Sequence, residues 1–258
     1  MNTAILGALV GTTTFVAASQ ASLTAYGDFD RVSTASTAAA TRSLAAESKW
    51  LAAAATWGPI NVVDFESATV GVNGTMHTIA PGVRMSVQGN IHPDNLVVLS
   101  GANSYGPTNG FNTTAGGSRH MQYEDGDGGM WDPIVVFNFD HAVTAFSCFI
   151  TGEGCGATVT APFTQLFTGN SIQWDMGLGD GGTPYWPATY QPNVRFIGFT
   201  NLSAPTKSVS IHLPAGSSYP WRGNFSFDDV RWVEDVPAPS TFVTLAAPLA
   251  WNLRRHRK

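Results

Sequence analysis

The sequence is poor in charged residues, and the charge it has is mostly acidic. Charged side chains make up 12% of the 258 residues, and the formal net charge is −5. Four of the last five residues are basic, so the rest of the chain carries −9. An acidic body lacks the basic patch that a nucleic acid requires, and we therefore exclude nucleic acid as a partner.

Motifs of common enzyme classes are also missing. The sequence contains no Gly-x-Ser-x-Gly, no His-Glu-x-x-His, no glycine-rich loop ending in Lys-Ser or Lys-Thr, and no Cys-x-x-Cys. These gaps predict a protein without catalytic activity. A polysaccharide-cleaving enzyme stays open as an alternative, because that chemistry needs only two carboxylates at a suitable distance.

The residues that are abundant favour a mainly β fold. The 27 glycines and 15 prolines, with many Thr, Val and Phe, are unfavourable for helices. Short β-branched or aromatic segments bounded by Gly, Pro, Asn or Asp predict strands. They are Asn61–Phe65, Val83–Gln88, Leu96–Leu99, Arg119–Tyr123, Ile134–Phe139, Val143–Ile150, Ala157–Thr160, Gln165–Phe167, Ser171–Trp174, Val194–Phe199, Ser208–Leu213 and Phe225–Val233. Strands without intervening helices predict an antiparallel β-sandwich.

The first 58 residues differ in composition from the strand-rich part. An apolar run over Ala4–Val16 followed by Ser19-Gln20-Ala21 is typical of a signal peptide, so we expect residues 1–21 to be removed on export. A buried first helix is the alternative. The Ala-rich residues 33–56 predict one short helix that ends at Gly58-Pro59. The expected domains are a helical lead-in over 22–58 and a sandwich over 59–235.

The last 23 residues have the pattern of a targeting signal. Pro237-Ala238-Pro239 precedes an apolar run over Phe242–Leu253, and Arg254, Arg255, Arg257 and Lys258 close the chain. Basic residues next to an apolar segment stay on the cytoplasmic side of a membrane. The alternative is a buried or amphipathic C-terminal helix with a basic end.

This tail resembles the PEP-CTERM sorting signal of bacterial envelope and extracellular proteins, in which Pro-Glu-Pro usually stands at the position of Pro237-Ala238-Pro239. The resemblance implies a short hydrophobic C-terminal helix and transient anchoring in the membrane over residues 236–258. It also implies processing by an exosortase and delivery to the outer cell envelope or the extracellular matrix.

A second resemblance concerns the body. Four phrases resemble, in order, galactose-binding-type jelly rolls related to carbohydrate-binding modules. They are Val63-Asp64-Phe65-Glu66, Ile134–Phe139 with Val143–Ile150, Phe196-Ile197-Gly198-Phe199 and Phe227-Asp228-Asp229-Val230. The resemblance implies that the first and last of these strands are neighbours, and that their carboxylates, Asp64, Glu66, Asp228 and Asp229, hold a structural calcium ion. In the alternative, these polar positions merely face water.

Two further groups of residues are candidates for a role. Cys148 and Cys155 flank a glycine-containing turn, which in an exported protein favours a disulfide bond across a hairpin over free thiols. Large rings on proline-braced loops are suited to stacking on sugars, although they also suit a role in capping the ends of the sandwich. The loop residues are Tyr185, Trp186, Tyr190, Tyr219, Trp221 and Arg222.

The sequence therefore predicts an exported, surface-sorted structural or adhesive protein associated with extracellular polysaccharide. A carbohydrate-binding module with a specific glycan ligand is the main alternative, beside the enzyme already named. Apart from calcium, no cofactor is expected.

Overall fold

The computed structural model describes residues 23–32, 34–88, 95–101, 110–124, 134–152, 164–168, 173–176, 193–200, 205–212 and 225–235. These residues form thirteen β-strands, one α-helix and a short 3-10 helix over Thr37–Ala39. The strands are β1 (Thr24–Arg31), β2 (Asn61–Val63), β3 (Asn73–Gly74), β4 (Met76–Ala80), β5 (Val83–Gln88), β6 (Asn95–Ser100), β7 (Arg119–Glu124), β8 (Ile134–Thr151), β9 (Thr164–Thr168), β10 (Gln173–Met176), β11 (Asn193–Thr200), β12 (Thr206–His212) and β13 (Phe225–Glu234), and the helix is α1 (Thr41–Ala54).

The long strand β8 belongs to two layers. Its first half pairs with β5 and β12, and its second half pairs with β11 and β13. The first layer has the order β4-β5-β8-β12-β9-β10, and the second has the order β1-β11-β8-β13-β7-β6-β3. Strand β2 pairs with β13 beyond the point where β7 does. All the pairs are antiparallel, as in a meander or Greek-key sandwich.

The main core lies between these layers. Phe137, in the first half of β8, has its ring centroid 5.0 Å from that of Phe146 in the second half and 5.8 Å from that of Phe227 in β13. All three rings are fully buried. Because Phe137 and β13 are not hydrogen-bonded neighbours, this contact is packing of one layer face to face on the other. The predicted antiparallel β-sandwich is confirmed.

Helix α1 covers the outer face of the second layer. Trp50 is fully buried, and its indole Nε1 donates to the carbonyl oxygen of Phe199 at 3.0 Å. Gly198 makes this approach feasible, because a Cβ atom there would lie 2.9 Å from Cδ1 of Trp50. The helix is therefore a third layer of the fold.

Strand β1 is an element that the sequence did not predict. The sequence predicts a helical lead-in over residues 22–58, but Thr24–Arg31 pairs along its whole length with β11. Asp30 at the end of β1 accepts hydrogen bonds from the backbone N–H groups of Arg42 and Ser43, and so satisfies unpaired donors in the first turn of α1. The helix predicted over 33–56 is confirmed with shorter bounds. The lead-in thus supplies an edge strand and a cover to the sandwich.

Candidate functional site

Two of the predicted acidic segments meet at one place in the fold. Strand β2 pairs with β13, with Val63 opposite Val230, which confirms that the first and last of the predicted strands are neighbours. Asp64 directly follows the first of these strands, and Asp229 directly precedes Val230 in the other. The pairing therefore brings the four candidate carboxylates to one region of the second layer.

Asp228 and Asp229 both hold the Thr113-Thr114 pair. Oδ2 of Asp228 accepts from the backbone N–H of Thr113 at 2.6 Å and from that of Thr114 at 3.1 Å. Asp229 accepts from the hydroxyl of Thr113 at 3.0 Å and from that of Thr114 at 3.2 Å. The two carboxylates are 1% and 8% exposed. They therefore act as buried acceptors for a loop more than a hundred residues earlier in the chain.

Glu66 holds the far end of the same loop. Its Oε1 accepts three hydrogen bonds of 2.8 Å, from Nδ2 of Asn112 and from the backbone N–H groups of Ser118 and Arg119. The guanidinium of Arg119 donates in return to the carbonyl oxygens of Glu66 and Ala68 at 2.7 and 2.8 Å. We call Glu66, Asp228 and Asp229 the carboxylate clamp, because together they fasten residues 112–119 to the sandwich.

The backbone of the clamp is locally strained. Asp229 has a φ of +48°, in the left-handed region that non-glycine residues seldom adopt, and Phe65, next to Glu66, has a φ of +58°. The pairing of β13 with β8 is irregular between Asp228 and Arg231. This irregularity turns two consecutive carboxylates toward one loop, whereas in a regular strand they would point to opposite faces.

The two threonine hydroxyls of the clamped loop contact more aspartate oxygens than they have protons to donate. The hydroxyl of Thr113 lies 3.0 Å from an oxygen of each aspartate, and the hydroxyl of Thr114 lies 3.4 and 3.2 Å from them. Two hydroxyl protons serve only two of these four contacts. A proton bound to Asp228 would supply a third. Burial, followed by the charge of Asp229, raises the pKa of Asp228 to about 7, against the opposing effect of the Thr113 donors.

His120 is a second buried titratable group beside this site. The residue is fully buried, and neither ring nitrogen has a hydrogen-bond partner among the described residues. Burial lowers the pKa of His120 to about 4, although the charge of Glu66 acts in the opposite direction. The imidazole is therefore neutral at pH 7.

The clamp carboxylates do not gather around a common point. Within the described residues, no three His, Cys, Asp or Glu side chains are placed to hold a metal ion. Oδ1 of Asp64 accepts from the N–H of Glu66, and the oxygens of Glu66, Asp228 and Asp229 described above face N–H and O–H donors. Oδ1 of Asp228 is buried and has no hydrogen-bond partner among the described residues. Calcium binding stays a prediction.

If calcium binds here, an excess of Ca²⁺ over chelator raises the melting temperature of the full chain by several degrees, because a ligand of the native state stabilises it by mass action. The measurement is a thermal melt at several calcium concentrations, with Mg²⁺ in parallel. The control is the Asp140→Asn variant, which changes an exposed carboxylate outside the clamp. An unchanged midpoint would mean that the clamp holds the loop alone.

The other predicted site residues lie outside the described residues. They are the loop residues Tyr185, Trp186, Tyr190, Tyr219, Trp221 and Arg222, the tail residues Pro237, Ala238, Pro239, Arg254 and Arg255, and Cys155. Cys148 is buried in β8, and its disulfide with Cys155 stays a prediction, as do the signal peptide and the C-terminal helix. In the part of the chain that the structure describes, no helix is both long and apolar enough to cross a membrane.

Sequence reasoning did not find the partners of the clamp. The clamp depends on hydrogen bonds from Thr113, Thr114 and Arg119. Nothing in the sequence connects these residues to Asp228 or Glu66. The available signal was the polar run Asn112-Thr113-Thr114 between glycines, which indicates a loop with many donors. The acceptors that these donors bind can be identified only from the structure.

Comparisons with known proteins identify no family for this chain. No protein-family profile and no curated protein matches the chain. Among solved structures, the K2 cleaved adhesin domain of Lys-gingipain is similar with a TM-score of 0.40 and 15% identity, over 67% of this chain and 97% of that one. A family 11 carbohydrate-binding module from Clostridium thermocellum, in complex with a β-1,3-1,4-mixed-linked tetrasaccharide, gives 0.27 and 10%, over 69% and 98%. Similarity at this level carries no argument about ligand or activity.

Proposed function

We propose that this chain is an exported protein, sorted to the cell surface, that serves as a structural or adhesive component associated with extracellular polysaccharide. The observation that carries the non-catalytic part of the proposal is the state of Asp228 and Asp229. Both are buried, and their oxygens accept hydrogen bonds from Thr113 and Thr114. A glycosidase needs its two carboxylates on either side of a bound sugar. This pair fastens a loop of the sandwich.

Export and sorting are supported by the two ends of the sequence. A sorting tail functions only in an exported chain. The signal-like segment over 1–21 and the PEP-CTERM-like tail over 236–258 therefore support each other. The exosortase-type enzyme is the partner that the tail implies. The polysaccharide is proposed from the aromatic loops and from the resemblance of the body.

A specific carbohydrate-binding module is the second candidate, and the loop residues around Trp186 and Trp221 favour it. We expect the full chain to bind at least one insoluble or matrix polysaccharide, such as cellulose, xylan or alginate, without releasing reducing ends. The Trp186→Ala, Trp221→Ala double variant should bind about ten-fold more weakly if the rings stack on sugar. A Lys49→Ala variant, exposed on α1, is the control. Failure to bind any polysaccharide would contradict this part of the proposal.

Processing of the tail gives a separate test. In the cell, replacement of Arg254, Arg255, Arg257 and Lys258 by Ser should loosen retention of the precursor, because each basic residue resists entry into the bilayer by about 3 kcal/mol. Replacement of Pro237 and Pro239 should instead leave uncut precursor in the membrane. Mass spectrometry of envelope and medium fractions measures both effects. Released protein that still ends at Lys258 would show that the tail is not a sorting signal.

A further inference from the structure

A cleft of about 490 Å³ opens at one edge of the sandwich, and its lining includes Phe65 and Ser67, which flank Glu66 of the carboxylate clamp. Its walls are β2 with the segment that follows it, and β4 with the turn that leads to β5. Val98 and Met121, both core residues, form part of its lining. The cleft therefore leads from the surface to the apolar space between the two layers. Its volume is in the range of ligand sites, roughly 300 to 1,000 Å³.

Exposed aliphatic side chains are concentrated around this cleft. The large apolar residues that are exposed in the described part of the chain are Val62 at 55%, Val70 at 45%, Val72 at 48% and Met76 at 61%. All four fall within fifteen consecutive residues, and Val62 and Val72 line the cleft itself. Scattered exposed aliphatics need no explanation, but a cluster beside a cleft marks an interaction surface.

Two strand edges border the cleft. Among the described strands, β2 pairs only with β13, and β4 pairs only with β5. Each therefore has one edge whose backbone N–H and C=O groups meet no other described strand. An open strand edge can pair with another extended backbone, which supplies a matching row of N–H and C=O groups. A globular small molecule does not supply such a row.

The polar lining indicates the charge of the occupant. Asp64 lines the cleft, together with Ser67, Thr69, Thr78 and His77, and no Lys or Arg does. Nε2 of His77 bonds to the carbonyl oxygen of Leu96 at 2.9 Å, so this nitrogen carries its hydrogen and is already occupied. A cationic group is thus matched by Asp64, and a second acidic copy of this chain is disfavoured by its own net charge.

We propose that the cleft binds an extended peptide segment of a partner protein by strand addition to β4. The segment has aliphatic residues at alternate positions, which face Val98 and Met121, and at least one Lys or Arg near Asp64. The alternation follows from strand geometry, because successive side chains of an added strand point to opposite sides. The five residues of β4 set the length of the segment at about five to seven residues. This docking site is independent of the proposed association with polysaccharide.

The test uses an array of seven-residue synthetic peptides that alternate Val, Ile or Leu with Thr or Lys, probed with the full chain. One control set carries the same side chains with N-methyl groups on alternate residues, which removes the backbone donors of one edge. A second set has Glu in place of Lys. We expect selective binding to Lys-containing members and at least a ten-fold loss in both control sets.

Variants of the chain localise the binding. Val72→Lys, in the lining but outside any strand, should abolish it, and Thr78→Pro should do so by removing a donor from the edge of β4. Val70→Lys, equally exposed but outside the lining, should bind as the wild type does, and thermal melts confirm that each variant folds. Three results overturn the proposal: no peptide binds the wild type, N-methylation has no effect, or light scattering shows that the chain dimerises through this edge and Val72→Lys makes it monomeric. A negative polysaccharide assay does not bear on it.

Discussion

Asp228→Ala is expected to destabilise the chain by about 3 kcal/mol or more, whereas Asp228→Asn should be tolerated above neutral pH. The alanine variant leaves the buried N–H groups of Thr113 and Thr114 without the acceptor that they have at 2.6 and 3.1 Å. The asparagine variant keeps one carbonyl oxygen for these donors and removes the charge. The two variants therefore separate the loss of an acceptor from the loss of a charge.

The pH dependence of the same site has a definite sign. The pKa of Asp228 is about 7 in the folded chain and near 3.8 when unfolded. Between these values the folded state holds a proton that the unfolded state has released, so the stabilisation is complete below pH 4 and is lost as the pH rises through 7. His120 acts in the opposite direction, because its pKa falls from 6.5 to about 4 on folding. Its contribution is complete above pH 6.5 and is lost as the pH falls through 4.

We therefore expect the free energy of unfolding of the wild type to fall between pH 7 and 8, where Asp228 completes its titration and His120 is mostly neutral in the unfolded chain as well. The Asp228→Asn variant should show no such fall from this group, and between pH 4 and 6.5 it should show the rise with pH that His120 imposes. Urea unfolding at half-unit pH steps measures both slopes. Burial also raises the pKa of Glu47, a contribution common to the wild type and the variant, so the difference between them isolates Asp228.

Asp140→Asn is the matched control, because Asp140 is exposed and its ion pair with Arg84 has an N–O distance of 3.3 Å. An exposed pair of this kind contributes between zero and about 1 kcal/mol. If Asp228→Asn and Asp140→Asn gave the same pH profile as the wild type, the folded state would not hold a proton on Asp228 above the unfolded pKa of this residue.

Trp50→Ala is expected to cost about 3 to 5 kcal/mol and to be the most damaging single change in α1. Trp50 is fully buried, packs edge to face on Phe196 with centroids 6.4 Å apart, and donates to the carbonyl oxygen of Phe199. Its removal leaves a cavity between the helix and β11 and takes away the donor to that carbonyl.

Urea unfolding of the full chain measures this effect, with Lys49→Ala, exposed on the same helix, as the control that should change stability by less than about 0.5 kcal/mol. Trp50→Phe should fall between the two, because it keeps most of the ring and loses the indole donor. If Trp50→Ala unfolded at the same urea concentration as Lys49→Ala, residues 24–54 would not form a layer of the cooperative unit.

The sequence predicted the strands well where one face is apolar and the turns are marked. Val83–Gln88 matches β5 at both ends, and the predicted strands over 194–199 and 225–233 match β11 and β13 to within one residue. Where a strand alternates around polar residues, the prediction failed. In β1, Asp28 and Asp30 occupy the face toward α1, where Asp28 pairs with Arg42 at 2.8 Å and Asp30 binds the helix N-terminus. A strand face that contacts a helix end through carboxylates lacks the apolar residues by which a buried face is recognised in a sequence.

The sequence predicted the carboxylates of the candidate site but not the donors that they bind. The neighbouring position of β2 and β13 was expected from the resemblance, and with it the approach of Asp64 and Glu66 to Asp228 and Asp229. Their hydrogen-bond donors were not, because contacts such as that between Thr113 and Asp228 join residues 115 positions apart. Buried polar networks are specified by three-dimensional register, which local patterns do not encode.

The order in which strands are made has a consequence for the timing of folding. The first strand, β1, pairs with β11, and β2 pairs with β13, so each waits for a partner that is synthesised near the end of the chain. Non-local pairing of this kind makes folding slow, because loop-closure entropy is lost before native contacts compensate for it. The second layer cannot close until β13 is available. Until then β1 and β2 remain unpaired edges, and the packed sandwich forms only as its last described strand becomes available.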